Sequence, residues 1–191
     1  FAESNGEDAD FRGAKIPEAS FLTSEFPRSI WTGADLRGVT MVGIQLAGAD
    51  LTDASLQDAD LAEARMEGVR FGAADLARSR FENAILRGAD LSKSRLDGTS
   101  FAGADFGGTA ALPRECSNTD FSGANLSGLH LEAGHFSGAD FSAANLTKAA
   151  LSKCDMSEAV FSDATLAGAD LSESAMARTT ADRADFTRAN L

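Results

Sequence analysis

The sequence predicts an all-β fold, a four-sided solenoid of about nine coils with 20 residues in each coil. Two observations predict it. Apolar residues recur every five positions along almost the whole chain, and phenylalanine recurs at intervals of 20 positions within that pattern. A period of five matches neither the helical period of about 3.6 residues nor the strand period of about 2, so a straight helix or strand would scatter these residues over every face. The chain must therefore turn once in each five-residue unit.

The five-residue period runs without a slip from Phe11 to Leu191. All 13 phenylalanines lie at positions whose number leaves a remainder of one on division by five. In this register the chain has 37 consecutive units, whose central residue is Phe, Leu, Ile, Met or Trp except at Ala111, Cys116 and Ala181. We call this residue the centre of its unit and expect it to point into the solenoid.

The other positions of the unit are also selective. Ala lies two positions before the centre in 21 of the 37 units, and we expect this small residue to point inward as well. Asp stands directly before 12 of the centres, and 14 of the 18 glycines stand two positions after a centre. Asp, Asn and Gly suit chain reversal because they tolerate or supply turn conformations that other residues resist. We expect the three remaining positions of each unit to face water.

The spacing of 20 gives the number of sides. If four units form one coil, residues 20 positions apart lie above one another on one wall. Neighbouring coils would be spaced like paired strands, about 4.8 Å apart, which makes the rod on the order of 40 Å long. The sequence therefore predicts an aromatic stack in the core of one wall, formed by Phe81, Phe101, Phe121, Phe141 and Phe161.

These units resemble those of the pentapeptide-repeat family. The motif Ala-(Asp/Asn)-(Leu/Phe) is seen at Ala124-Asn125-Leu126 and Ala139-Asp140-Phe141, and the resemblance covers about 95% of the chain. It implies a right-handed quadrilateral β-helix. It also implies a bacterial repeat protein that acts through its surface, since the motif specifies an architecture rather than a reaction.

The unbroken register predicts a single solenoid domain over residues 1–191 with two departures. Residues 1–10 are polar and are expected to be irregular. Residues 108–117 are expected to leave the solenoid as a loop, because Pro113 has no N–H to donate and Arg114 falls on an inward position, where a buried charge is costly. Loops on rigid scaffolds often carry function, so Pro113, Arg114 and Glu115 form the candidate interaction loop. A harmless insertion is the alternative.

The net charge of −12 has a structural source. Beyond the 12 aspartates that precede centres, the remaining 17 acidic residues equal the 17 basic residues in number. Residues 61–95 carry a net charge of +2, but five acidic residues are interspersed among their basic ones. We therefore expect a mixed-charge surface and no direct nucleic-acid binding.

No catalytic, metal or cofactor site can be assembled. His130 and His135 are the only histidines, and both lie at outward positions where no further ligands converge. Cys116 and Cys154 are expected on one wall, roughly 10 Å apart, whereas a disulfide needs Cα atoms within about 7 Å. They are expected to be buried free thiols, which favours a reducing compartment such as the cytoplasm. The chain lacks a run of about 18 apolar residues, so no membrane span is expected.

Two functions are open. The first is a non-catalytic rigid scaffold or protein–protein interaction module for an unidentified protein partner. The second, implied by the resemblance, is a protein that mimics DNA and protects bacterial DNA gyrase or topoisomerase IV from quinolones or toxins. The acidic total favours the second function, whereas the basic residues of segment 61–95 count against it. Since the chain stops at the centre of a unit, we also expect it to be a piece of a longer protein or to associate end to end through its C-terminal coil.

Overall fold

The computed structural model describes residues 1–108 and 111–191. The chain winds into a right-handed four-sided β-solenoid, as predicted. The residue before each centre forms a parallel bridge to the residue 20 positions later, for example Asp35 to Ser55 and Ser55 to Asp75. Each strand is a single bridge residue, and such residues recur from Asn5 to Asn190 at intervals of five outside the segment around residue 111. The described residues contain no helix.

The four sides of the solenoid are named here by their centres. Wall 1 contains Phe21 and every residue that lies a multiple of 20 positions before or after it, from Phe1 onward, and walls 2, 3 and 4 contain Phe26, Trp31 and Leu36 in the same way. Each wall also includes the outward residues of its units, which are the one before and the two after each centre. The centres and the small residues between them form one continuous apolar core from Phe21 to Leu171.

The unit 139–143 shows how the backbone N–H groups are satisfied. Ala139 donates to the carbonyl of Phe136 and closes a turn, with an N···O distance of 3.0 Å. Asp140, Phe141 and Ala143 donate to carbonyls of neighbouring coils at 2.7 to 3.1 Å. Ser142 donates to the Oδ1 atom of Asp140 at 2.8 Å. All five donors are used, which explains why Asp is favoured before a centre: its carboxylate binds the one N–H that the ladder leaves free.

The corner of each unit is a tight turn. The residue two positions after the centre has a left-handed backbone, with φ of 68° at Gly138 and 56° at Ala143. A type II turn requires this conformation at its third residue, which is why glycine is frequent there. The turn keeps the coil square and brings the next centre inward.

The predicted aromatic stack lies in the core of wall 1. Consecutive rings from Phe81 to Phe161 are separated by 5.1, 5.7, 5.3 and 5.1 Å between centroids, and their planes differ by 25° or less. Phe101, Phe121, Phe141 and Phe161 are each fully buried. The repeat of one coil therefore sets the spacing of the rings.

The prediction of an irregular segment over residues 1–10 is wrong. Asn5 and Asp10 form the same parallel bridges as later units, to Glu25 and Ile30. Phe1 stacks on Phe21 with a centroid distance of 4.9 Å. The reason is that backbone ladders, rather than apolar centres, hold these residues: Gly6 occupies a centre position, and the ring of Phe26 fills the space beside it.

Candidate interaction surface

The coil pattern is broken around residue 111. Asp90 bridges to Ala111, 21 positions later instead of 20, and the spacing of 20 has returned when Glu115 bridges to His135. The step from bridge residue Asp105 to Ala111 is therefore six residues long, and the next step to Glu115 is four. The two steps together restore the normal length of two units.

This shift changes which side chains point inward. Leu112 takes the place of the expected centre Ala111 and packs against the core. Pro113 is buried, and the side chain of Arg114 is exposed although its carbonyl accepts the N–H of His135 at 2.7 Å, as the carbonyl of a small residue does elsewhere. The predicted conflict of a charge on the solenoid axis is thus removed by a displacement of one residue.

The predicted loop over residues 108–117 falls partly outside the described residues, because 109 and 110 belong to neither described range. The described part does not leave the solenoid as a free loop. Ala111 exchanges backbone hydrogen bonds with the preceding coil, and Cys116 and Asn118 donate to the following coil at 2.8 and 2.9 Å. Of the candidate loop residues, Arg114 and Glu115 are exposed and Pro113 is buried.

Wall 4 is split beside this segment. Over the described residues its bridges run from Lys15 to Arg95, stop, and resume at Glu115. Within those ranges the N–H groups of Leu96 and Glu115 have no hydrogen-bond acceptor in the protein, whereas Leu76, one coil earlier, donates to Arg95 at 2.9 Å. A cleft of about 260 Å³, lined by Ser94–Asp97, Glu115 and Ser117, lies at the split.

A second cleft lies on the other side of the same segment. It has a volume of about 170 Å³, and its lining includes Leu112, Pro113, Leu131 and Phe136. Leu131, one coil after the break, is 6% exposed, whereas the equivalent centres Leu91, one coil before the break, and Leu151, two coils after it, are fully buried. Segment 112–117 therefore has a cleft toward each neighbouring coil.

The corner between walls 3 and 4 is also irregular in the coils before the break. Elsewhere in the described ranges the residue at this corner has a left-handed backbone, but Ala73 and Lys93 do not. In the coil of Ala73, the preceding residue Gly72 has the positive φ, 53°. Pro113 completes this column, since its ring fixes a negative φ. Three stacked coils thus share a non-standard corner that ends at the split.

Five of the six arginines of segment 61–95 form ion pairs with described residues rather than a basic patch; the exception is Arg65. Arg78 pairs with Asp58 and Arg95 with Asp75, in each case across one coil, with N···O distances of 2.7 and 3.2 Å. The further pairs of this segment are Arg70 with Asp50, Arg80 with Asp60 and Glu82, Arg87 with Asp105, and Arg95 with Asp97. These exposed pairs stabilise the fold little, but they neutralise the charge that would attract a phosphate backbone.

Wall 1 carries half of the net charge. Its outward positions hold eight acidic and two basic residues, which gives −6 of the total of −12. Asp120 and Asp140 bridge each other in neighbouring coils, and neither forms an ion pair with any described residue. Their Oδ1 atoms accept backbone N–H bonds from Ser122 and Ser142 at 2.9 and 2.8 Å.

The remaining candidate groups are placed as follows. His130 and His135 are exposed and lie beside Glu132 and Glu115, with N···O distances of 3.2 and 3.7 Å. Cys116 and Cys154 are buried and unbridged, and burial raises the pKa of Cys116 to about 12. Across residues 1–108 and 111–191, His, Cys, Asp and Glu form no cluster that could hold a metal ion. A helix capable of crossing a membrane is likewise missing from those ranges.

Comparison with known sequences identifies one family. The profile of a family described as pentapeptide repeats matches residues 7–41, 32–68, 74–109, 119–157 and 154–191. No curated protein is significantly similar to the chain in sequence.

Solved structures share the fold over nearly the whole chain. One is HetL, a pentapeptide-repeat protein involved in heterocyst differentiation regulation in the cyanobacterium Nostoc. The two sequences are 24% identical, the TM-score is 0.58, and the alignment covers 96% of this chain and 89% of HetL. Another is a trypsin-treated QnrB1, a plasmid-mediated fluoroquinolone resistance protein, with 20% identity, a TM-score of 0.56, and coverage of 95% and 87%. At these identities the likeness concerns the fold alone.

Proposed function

Because the chain belongs to the pentapeptide-repeat family, we propose that it is a non-catalytic scaffold that binds a protein partner with its outer surface. The apolar side chains fill the interior, and the charged ones occupy fixed outward positions. The lowered carboxylate pKa values support this proposal. Those of Asp10 and Asp90 are lowered chiefly by hydrogen bonds from Arg12 and Ser92, which stabilise the ionised form instead of preparing an acid or base.

The observation that carries the proposal is the split of wall 4 between Arg95 and Glu115. At the split a partner meets two clefts and the N–H groups of Leu96 and Glu115, which have no acceptor among the described residues, whereas the equivalent N–H groups of Leu76 and Arg95 one coil earlier are paired. Such unpaired groups gain more from a partner than paired ones do. We therefore place the interaction surface at Pro113, Arg114 and Glu115, with Pro113 forming the buried base of the segment.

A photo-crosslinking experiment tests this proposal. A photoreactive amino acid replaces Glu115 in one variant and the exposed Glu173 on wall 3, away from the break, in a control variant. We expect one protein to be crosslinked at position 115 only, and the purified partner to bind the unmodified chain in a calorimetric titration. Equal crosslinking at both positions, or a crosslinked protein that does not bind when purified, would contradict the proposal.

The second candidate function is DNA mimicry toward a bacterial type II topoisomerase. The acidic surplus of wall 1, with Asp120 and Asp140 free of ion pairs in the described structure, favours it, because a DNA-binding groove is basic. The fold shared with a fluoroquinolone resistance protein makes the same target worth testing.

The test is supercoiling by purified bacterial gyrase in the presence of a fluoroquinolone. If wall 1 mimics DNA, the chain restores supercoiling, and the double variant Asp120→Lys with Asp140→Lys loses that protection. The matched control carries Asp155→Lys and Asp170→Lys on walls 4 and 3, with the same change in net charge. Absence of protection, or equal loss in both double variants, argues against DNA mimicry.

A further inference from the structure

The cleft between Leu112–Arg114 and Leu131–Phe136 combines an apolar base with a free cation. Leu131 and Phe136 are buried centres of the following coil, and Leu112 is packed partly on the core beside them. They leave a space of about 170 Å³ that opens to solvent between two coils. A cleft of this size, with a polar rim and these apolar side chains at its base, fits one small aliphatic side chain rather than a large ligand.

Arg114 differs from most arginines of this protein. Ten of the 13 arginines form ion pairs with carboxylates, generally in the neighbouring coil or two positions away. Arg114 lines the cleft, is exposed, and pairs with no carboxylate in the described ranges. Its guanidinium is therefore available to a carboxylate from outside, in the planar two-bond geometry that arginine favours.

The opposite rim of the cleft does not supply that carboxylate. Glu132 also lines the cleft, but its Oε1 atom is 3.2 Å from Nδ1 of His130. Hydrogen bonds from its own backbone N–H and from His130 lower the pKa of Glu132, so it is ionised and engaged at neutral pH. The cleft thus has an apolar base, a carboxylate, Glu132, that is already bonded to His130, and a guanidinium, Arg114, that has no ion-pair partner among the described residues.

We propose that this cleft binds a protein segment in which a branched aliphatic side chain is adjacent to a carboxylate, with the aliphatic group between Leu112 and Leu131 and the carboxylate on Arg114. This inference rests on the proposed function and names the chemistry of the partner. The apolar contact excludes water from the ion pair, and a partly desolvated pair is stronger than an exposed one.

The experiment is an NMR titration of the full isotopically labelled chain with the capped dipeptide N-acetyl-leucyl-aspartyl amide. A ligand this small is expected to bind in the millimolar range. Saturable shifts should be confined to the backbone amides of Leu112, of residues 114–117 and of residues 130–136. Arg114→Gln should weaken binding about tenfold, whereas the matched change Arg65→Gln, which removes another arginine without an ion pair in the described structure, should leave it unchanged.

Changes in the dipeptide keep the test independent of any effect of a variant on folding. Replacing its aspartyl residue by asparaginyl, or its leucyl residue by alanyl, should each weaken binding about fivefold. The proposal is overturned if no saturable shifts occur, if they lie elsewhere, or if the asparaginyl dipeptide binds as well as the aspartyl one. If the dipeptide fails but the crosslinked partner still binds the purified chain, this inference fails and the proposed function stands. If the dipeptide binds and no protein is crosslinked at position 115, the proposed function fails.

Discussion

At the scale of single residues, each position of the five-residue unit meets a different physical demand. The centre fills the interior, and the small residue leaves room for centres of adjoining walls. Where the residue before the centre is Asp or Asn, its side chain accepts the N–H of the residue after the centre, which is not bonded in the backbone ladder, as Asp140 does from Ser142. The residue two after the centre carries the left-handed φ of the corner, as Gly138 does. A substitution is therefore expected to act through the demand at its position.

Phe121→Ala tests the demand at a centre. The ring of Phe121 lies between those of Phe101 and Phe141 at 5.7 and 5.3 Å and is fully buried. Its removal leaves a cavity that the two neighbouring coils cannot close, so we expect a loss of about 3 to 5 kcal/mol in the free energy of unfolding. Urea denaturation measures this loss, with Phe121→Leu as a control that should lose less. An unchanged denaturation midpoint for Phe121→Ala would show that the stack contributes little.

Asp140 tests the demand before a centre. Its Oδ1 atom accepts the N–H of Ser142 at 2.8 Å, and Asn can provide the same acceptor whereas Ala cannot. We expect Asp140→Ala to be less stable than Asp140→Asn by about 1 kcal/mol, as for the loss of a comparable side-chain cap on a backbone N–H. Both variants remove the charge beside Asp120, so the difference between them isolates the hydrogen bond. Equal stabilities in thermal or urea unfolding would refute this role.

At the scale of the coil, the sequence predicts most units and fails at two places, residues 1–10 and the break near residue 111. A regular coil follows from residue type alone, since each centre and small residue recurs in phase, as at Ala139 and Phe141. Ala111, Pro113 and Arg114 indicate where the pattern breaks, but they do not indicate whether the chain shifts its register or leaves the solenoid as a loop. Leu112 buries more apolar surface than Ala111, so a shift by one residue is favoured over an outward loop. That signal was present, because a leucine directly follows the undersized centre.

Hydrogen exchange tests the split of wall 4. The N–H of Leu96 has no acceptor in the described protein, whereas that of Leu76 donates to Arg95 at 2.9 Å in the equivalent position of the preceding coil. We expect the Leu96 amide to exchange at least about a hundredfold faster than the Leu76 amide, since protection follows the free energy of local opening. NMR detection in deuterated buffer resolves the two amides. Equal protection would mean that the ladder is continuous through the break.

At the scale of the whole molecule, many carboxylates are held in their ionised form. Hydrogen bonds from Arg12 lower the pKa of Asp10 from 3.8 to about 2, and the pKa values of Asp155, Asp170 and Asp185 are lowered chiefly by their bonds to Ser157, Ser172 and Thr187. A group with a lowered folded-state pKa stabilises the fold above its unfolded-state pKa. That stabilisation is lost as the pH falls through the folded-state value.

We therefore expect the free energy of unfolding to fall as the pH is lowered from about 4 toward 2, with proton uptake on unfolding. Below the isoelectric point of about 4.5 the chain carries a net positive charge, so repulsion among its basic residues adds to this loss as the pH falls. Salt screens that repulsion between exposed charges, so the loss that persists at physiological ionic strength reports chiefly on the hydrogen bonds. Urea denaturation across this pH range gives the result. Stability that is constant or rises below pH 4 would show that these hydrogen bonds do not favour the ionised carboxylates in the folded state.

The six-residue step to Ala111 shifts the register by one residue, and the four-residue step to Glu115 restores it. Had the phase not been restored by Glu115, every later centre, Phe121 and Phe141 among them, would have turned toward water. A solenoid of this kind can thus absorb a local error only if an opposite error follows before the next coil closes. An insertion that is not compensated in this way is expected to be tolerated only if it adds one or more complete coils of 20 residues. The solenoid is therefore expected to lengthen in steps of one coil.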